Sequence, residues 1–449
     1  MNIVFASASK PLRWALLGWL LLSPGLWTRT TWASEQVLIG GGNLSPQTGA
    51  VRETVIQGEA ITAGWAATGS LAANPPIPSS GTFNKLRVTL DVAPDTGAGT
   101  QTYTFALVID GSATALTCAI SEAATSCADT SNSVAITAGS VASLRATPSG
   151  TPATVIPTWT LVFDGSTTAE SIYPAGGTGN NVSGRHLPFH GHGGPGESTE
   201  ALEQLLISTS GTFKNLYIKK TDPGAGNTFV WMVRKNEGDT TLTCTITEGN
   251  TACSDLSNSF TVVAGDRVTV LYTATGTPTA SNGVRSITFL ADTNGEFLFG
   301  ASNTGNASAS ADNYVSIQSE GIGWNATETV VDQVGQSMTM TKLQVLLSGT
   351  PGAGNNYALN LRQDVASPGL TCTVADTDTT CAGTATITIN ADDLLATLST
   401  PTSTPSARSM RIGYTGFIAP ATGTRRIMLI SKEASCDSWL FWRSCPSRN

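Results

Sequence analysis

The three histidines of this 449-residue chain fall within seven positions, at His186, His190 and His192. An H-x3-H-x-H spacing can gather imidazoles around Zn²⁺, Cu²⁺ or Ni²⁺, and the glycines that follow would let a loop fold around the ion. The corresponding stretches elsewhere in the chain, around 56–64 and 316–323, carry no histidine. A solvated loop is therefore the expectation over a metal site, and no cofactor is expected. The eight cysteines carry a sharper signal: four C-x8-C pairs, 118/127, 244/253, 372/381 and 436/445. Thiolate ligation of a metal calls for C-x2-C spacing or nearby histidines, and these pairs have neither. An even count at one repeated spacing points to four disulfides, Cys118–Cys127, Cys244–Cys253, Cys372–Cys381 and Cys436–Cys445.

Other chemistry is thinly represented. No serine sits in a G-x-S-x-G elbow. The glycine-rich stretches, such as 223–226, lack the Lys-Ser/Thr of a phosphate loop and read as turns. Asp255, Asp266, Asp292, Asp392 and Asp393 fall at loop ends without the D-x-D-x-D pattern of a calcium loop. Charged residues are 12% of the chain and the formal net charge is -8, which excludes the basic surface a nucleic-acid binder needs. A non-enzymatic protein is expected.

The cysteine pairs belong to a larger repeat. Gly81-Thr-Phe-Asn-Lys-Leu86 returns as Gly211-Thr-Phe-Lys-Asn-Leu216 and, more weakly, as Met338-Thr-Met-Thr-Lys-Leu343. Leu-Thr-Cys recurs at 116–118, 242–244 and 370–372, and Gly-Thr-Pro at 150–152 and 276–278. The period of about 127 residues is too long for a solenoid, so each copy is a domain. The division is a leader at 1–33, repeats at 34–166, 167–293 and 294–420, and a tail at 421–449. Short linkers near 165–170 and 292–296 suggest beads on a string.

Each copy reads as β. Residues 83–90 and 267–272 alternate between apolar and polar positions, and turn signals recur every 8–12 residues. Only 199–206 hints at helix, and it is taken as a strand or a short helical turn. About 125 residues per copy fits a two-sheet jelly roll better than an immunoglobulin domain. In size and strand density each repeat resembles secreted jelly rolls of the C1q/TNF-like type, a resemblance that implies three tandem β-sandwiches. The cysteines of each copy would staple a hairpin, directly opposite one another at a Cα separation of about 5.5 Å. A closed loop of that size contributes about 2–3 kcal/mol. Trp159 and Trp231 look like strand residues, and Trp65 and Trp324 follow glycines at corresponding places; core packing is the expectation for these tryptophans, with a sugar-stacking platform as the alternative.

The ends of the chain suggest where the protein works. Lys10 and Arg13, an apolar run from Trp14 to Leu22, and small residues at Ala33 and Ser34 have the order of a secretory signal peptide cleaved before Ser34. No transmembrane segment is expected after cleavage. The tail holds a strand-like run with Ile427 and Leu429, then the aromatic cluster Trp439, Leu440, Phe441 and Trp442 inside its cysteine loop. It either folds back on the third domain or is offered to a neighbouring subunit. The resulting expectation is a secreted structural or adhesive surface protein that self-associates into an oligomer or filament through segments 34–50 and 420–449. The alternative is a lectin whose tandem modules bind surface glycans.

Overall fold

The Gly81–Leu90 strand shows how this sequence makes sheet. Phe83, Leu86, Val88 and Leu90 are all buried. Val88 and Leu90 keep the period of two, but Phe83 and Leu86 are three apart. Both point inward because a bulge lies between Asn84 and Leu86, where Lys85 takes φ 52°. The same irregularity interrupts Gly211–Lys220 and Met338–Leu347. The plain alternation read from the sequence is thus broken once in each copy.

A computed structural model describes residues 34–420, apart from 43–44, 61–64, 96–99, 168, 178–182, 191, 194–195, 280, 303–304, 321–322 and 330. Within it each repeat is a sandwich of two five-stranded sheets. In the first domain one sheet runs Gly58–Ala60, Glu35–Gly42, Pro157–Gly165, Gly81–Leu90, Ser126–Ile136. The other runs Ala66–Ala67, Arg52–Thr54, Ala142–Ser149, Thr102–Ile109, Ser112–Ser121. The first long strand lies beside the last and, apart from the Thr102–Ile109/Ser112–Ser121 hairpin, successive long strands cross between sheets, which is jelly-roll order. The second and third domains repeat this order except at the short edge strand of the second sheet, where Leu205–Leu206 and Asp332–Gln333 pair directly with Arg267–Thr275 and Leu394–Thr402; the chain passes between domains at 165–170 and 291–296. In the 199–206 stretch, a single 3-10 turn at Glu200–Leu202 precedes the two-residue strand Leu205–Leu206. No helix among the described residues is long and apolar enough to cross a membrane.

Three of the disulfides are formed, with Cα–Cα distances of 5.7, 5.8 and 5.7 Å. Their setting differs from the expected hairpin. Cys118 lies on Ser112–Ser121, which pairs only with Thr102–Ile109; Cys127 lies on Ser126–Ile136, which pairs with Gly81–Leu90 in the opposite sheet. The turn between them is a corner, and the bond ties sheet to sheet at the open side of the sandwich. A carboxylate does the same work in two domains. Asp129 accepts from the backbone N–H of Thr117 across the corner and from Ser131 and Asn132 on its own strand; Asp255 repeats this with Thr243, Ser257 and Asn258. Burial works to raise the Asp129 pKa, but these bonds and the Asn132 side chain outweigh it and hold it at about 2. Residues 1–33, expected as a signal peptide, and residues 421–449 lie outside the described residues, and with the latter go Ile427, Leu429, Trp439, Phe441, Trp442 and the Cys436/Cys445 pair.

The largest departure from the sequence reading is in how the domains meet. Each domain's first strand, Glu35–Gly42, Glu170–Gly177 or Glu296–Ser302, turns one residue type inward and another outward. Leu38 belongs to the first domain's own core, while Val37 and Ile39 pack into the cluster of the third. Tyr173 lines the second domain's core and Ile172 enters the first; Phe297 and Phe299 line the third and Leu298 enters the second. The relation is cyclic, so the domains close into a triangle around a pseudo-threefold axis. Independent beads would leave this apolar set in water. Segment 34–50 is therefore no free joint, since its strand is central to the ring.

Two consequences can be measured. Scanning calorimetry of residues 34–420 should give one cooperative transition, whereas three separable transitions would contradict the shared cores. Leu298→Ala should lower stability by about 2–5 kcal/mol, as for a buried leucine, and should loosen the second domain although the residue belongs to the third.

Candidate functional site

The axis and the three seams around it are where this chain brings distant residues together. Sheet edges meet at the axis, and their polar groups need partners. The Gln36 side chain supplies them for the second domain: its Nε2 donates to Ile172 O (3.0 Å) and its Oε1 accepts from Ile172 N (2.7 Å). One domain on, the Tyr173 hydroxyl accepts from Leu298 N (2.7 Å) and donates to Leu298 O (3.2 Å). Different side chains thus satisfy the same backbone position of the next domain. Each first strand also opens with a glutamate paired to the lysine of the bulge: Lys85–Glu35 at 3.0 Å, Lys214–Glu170 at 2.6 Å and Lys342–Glu296 at 2.7 Å. The exchange of Asn-Lys for Lys-Asn between the first two copies leaves the pair intact. Sequence reasoning missed this set, although its signal was present in a glutamate that opens every copy.

Around the axis each domain lays a loop on the inner sheet of the next. Ser79 meets Thr288 (2.7 Å) at the first seam and Ser208 meets Thr415 (2.7 Å) at the second. At the third, which closes the ring, Gln333 meets Thr89 and Asp392 pairs with Arg87. Close approach depends on missing side chains: a Cβ at Gly413 would strike the Leu206 carbonyl, and one at Gly335 would strike the Thr160 hydroxyl. The inner sheets of the first two domains are even continuous, through a parallel bridge between Ala60 and His192.

The seams are not equally filled. At the second, Arg411 donates to Ala201 O and Gln204 Oε1. At the third, the positions corresponding to Arg411 and Arg267 are Thr158 and Leu394, and a cavity of about 420 Å³ opens between Leu90, Ile156, Val331 and Leu394. A more polar cavity of about 400 Å³, with Asp110, Tyr217 and Lys219 on its walls, lies at the first seam.

His190 and His186 take separate places in this architecture. His190 is fully buried, its Nε2 3.0 Å from Ser302 Oγ of the third domain. It stands where the other two copies have the buried glutamines Gln57 and Gln318. Burial, and then the nearby Arg285 guanidinium, push its pKa down to about 3, so the ring is neutral. His186 instead faces Glu200, 3.8 Å away, beside Arg234. His192 contributes its backbone to the bridge with Ala60. Among the described residues no three metal-ligating side chains come together. Asp255 is held by its hydrogen-bond network and Asp266 by Lys235 at 2.9 Å. The described tryptophans pack on cores: Trp159 is buried under Trp65 with ring centroids 5.8 Å apart, Trp231 is buried against Tyr272, and Trp324 lies on the third cluster.

What this arrangement can do is hold three sandwiches in one fixed relation and present their outer edges and grooves. Its pH dependence follows from His190. The unfolded ring takes a proton below its ordinary pKa of about 6.5, and the folded one does not until about 3. Stability should therefore fall as pH drops through that window. His190→Gln, the residue type of the other copies, should remove about 1–3 kcal/mol of the loss between pH 7 and pH 4.5 in urea titrations; an unchanged pH dependence would contradict the burial argument. No protein-family model matches the chain, and no curated protein matches it.

Proposed function

We propose that the protein is a non-enzymatic extracellular structural or adhesive subunit that associates with copies of itself through the chain following Pro420. The observation that carries this reading is the closed ring. A head-to-tail contact that does not close builds a filament. Here the head-to-tail contact between domains closes after three, so those faces are used up within one chain. The segment after Pro420 takes no part in those faces as described, and the contact is assigned to it. It leaves the third domain beside Gly295, where Ile418 N bonds Gly295 O (3.0 Å). Its charge also differs from the body's: residues 34–420 hold 16 basic and 30 acidic side chains, and residues 421–449 hold 5 basic and 2 acidic. The three inter-sheet disulfides suit an oxidising compartment and are compatible with an extracellular protein.

Deleting 421–449 from the mature chain tests this. Sedimentation velocity should show assembly of the full mature chain and a single folded species for the truncated one, with unchanged circular dichroism. Equal assembly of both would contradict the proposal.

A further inference from the structure

We infer that the groove between the first and third domains is the acceptor for the aromatic segment Trp439–Trp442 of a second copy; this rests on the assembly reading above and names its docking site. Three observations lead there. The groove, about 420 Å³, has the size of a binding pocket, and its walls are mainly apolar, from Leu90, Ile156, Val331 and Leu394. Its rim carries exposed apolar side chains: Leu394 is 40% exposed, and Val92, next to Asp91 of the wall, is 46% exposed. Aromatic anchors set in an apolar pocket dominate protein interfaces, and the chain outside the described residues carries such a set in Trp439, Leu440, Phe441 and Trp442, followed by Arg443.

Charge and placement favour a second copy as the donor. The basic tail complements the acidic body, and Asp91 lies in the groove wall within reach of a cation that follows the aromatic set. The groove sits at the Leu90/Pro157 end of the first domain's central strands, whereas the chain leaves that domain at the Gly81/Gly165 end. The tail leaves the third domain at the equivalent place, beside Gly295. Copies stacked end to end would bring the tail of one to the groove of the next, and the contact would not close.

The experiment uses two variants of the full mature chain. In the first, Leu394→Glu spoils the groove and the tail is intact; in the second, Trp439→Ala with Trp442→Ala spoils the tail and the groove is intact. Each alone should need at least a tenfold higher concentration to assemble than the unaltered chain, in sedimentation velocity. Mixed in equal amounts they should form dimers and stop there, since each mixture has one working donor and one working acceptor. Val331→Glu serves as a second groove variant should Leu394→Glu melt at a lower temperature than the unaltered chain. If the groove variants assemble as the unaltered chain does while deletion of 421–449 abolishes assembly, the groove assignment is overturned and the tail reading stands. If the unaltered chain does not assemble, both fall.

Discussion

Everything in this molecule depends on where Val37, Ile172 and Leu298 go. Each sits on its domain's first strand, and each is buried in the core of a neighbouring domain. A jelly roll that exposed such a face would pay for the apolar surface left in water, and it would also leave the strand's edge groups unsatisfied. The cyclic arrangement removes both costs together. Gln36 and the Tyr173 hydroxyl then act as surrogate strands, each offering one donor and one acceptor to the backbone it faces. The seams, the glycines within them and the buried histidine follow from that closure.

The asymmetry between the copies is as informative as their likeness. Glu–Lys pairs recur three times although the lysine moves by one position along the bulge. By contrast the loop-on-sheet contacts use hydroxyl pairs at two seams and an ion pair with an amide at the third. Arginine fills the second seam, and leucine and threonine leave the third open. Three copies with a common fold thus make three unlike seams.

Much of this was legible in the residues. The cysteine spacing, the period of about 127 and the turn signals led directly to three disulfide-tied sandwiches, because each is a local pattern repeated in order. The corner at Cys118–Cys127 was not legible, since a short turn between two strands looks the same whether they share a ladder or change sheets. The ring escaped for a different reason: Val37, Ile172 and Leu298 look like ordinary strand residues, and the groups that satisfy their strands, Gln36 and Tyr173, are unlike in type. The histidine stretch, expected as a solvated loop, departs from that at His190, which lies buried where the other copies have Gln57 and Gln318.

The most direct test of the closed ring is small-angle X-ray scattering of residues 34–420 under oxidising conditions. A closed triangle should have the radius of gyration of one globular chain of that length, about 21 Å. Three sandwiches strung in a line would give about 30 Å or more, and that value would contradict the exchange of first-strand faces on which the whole account stands.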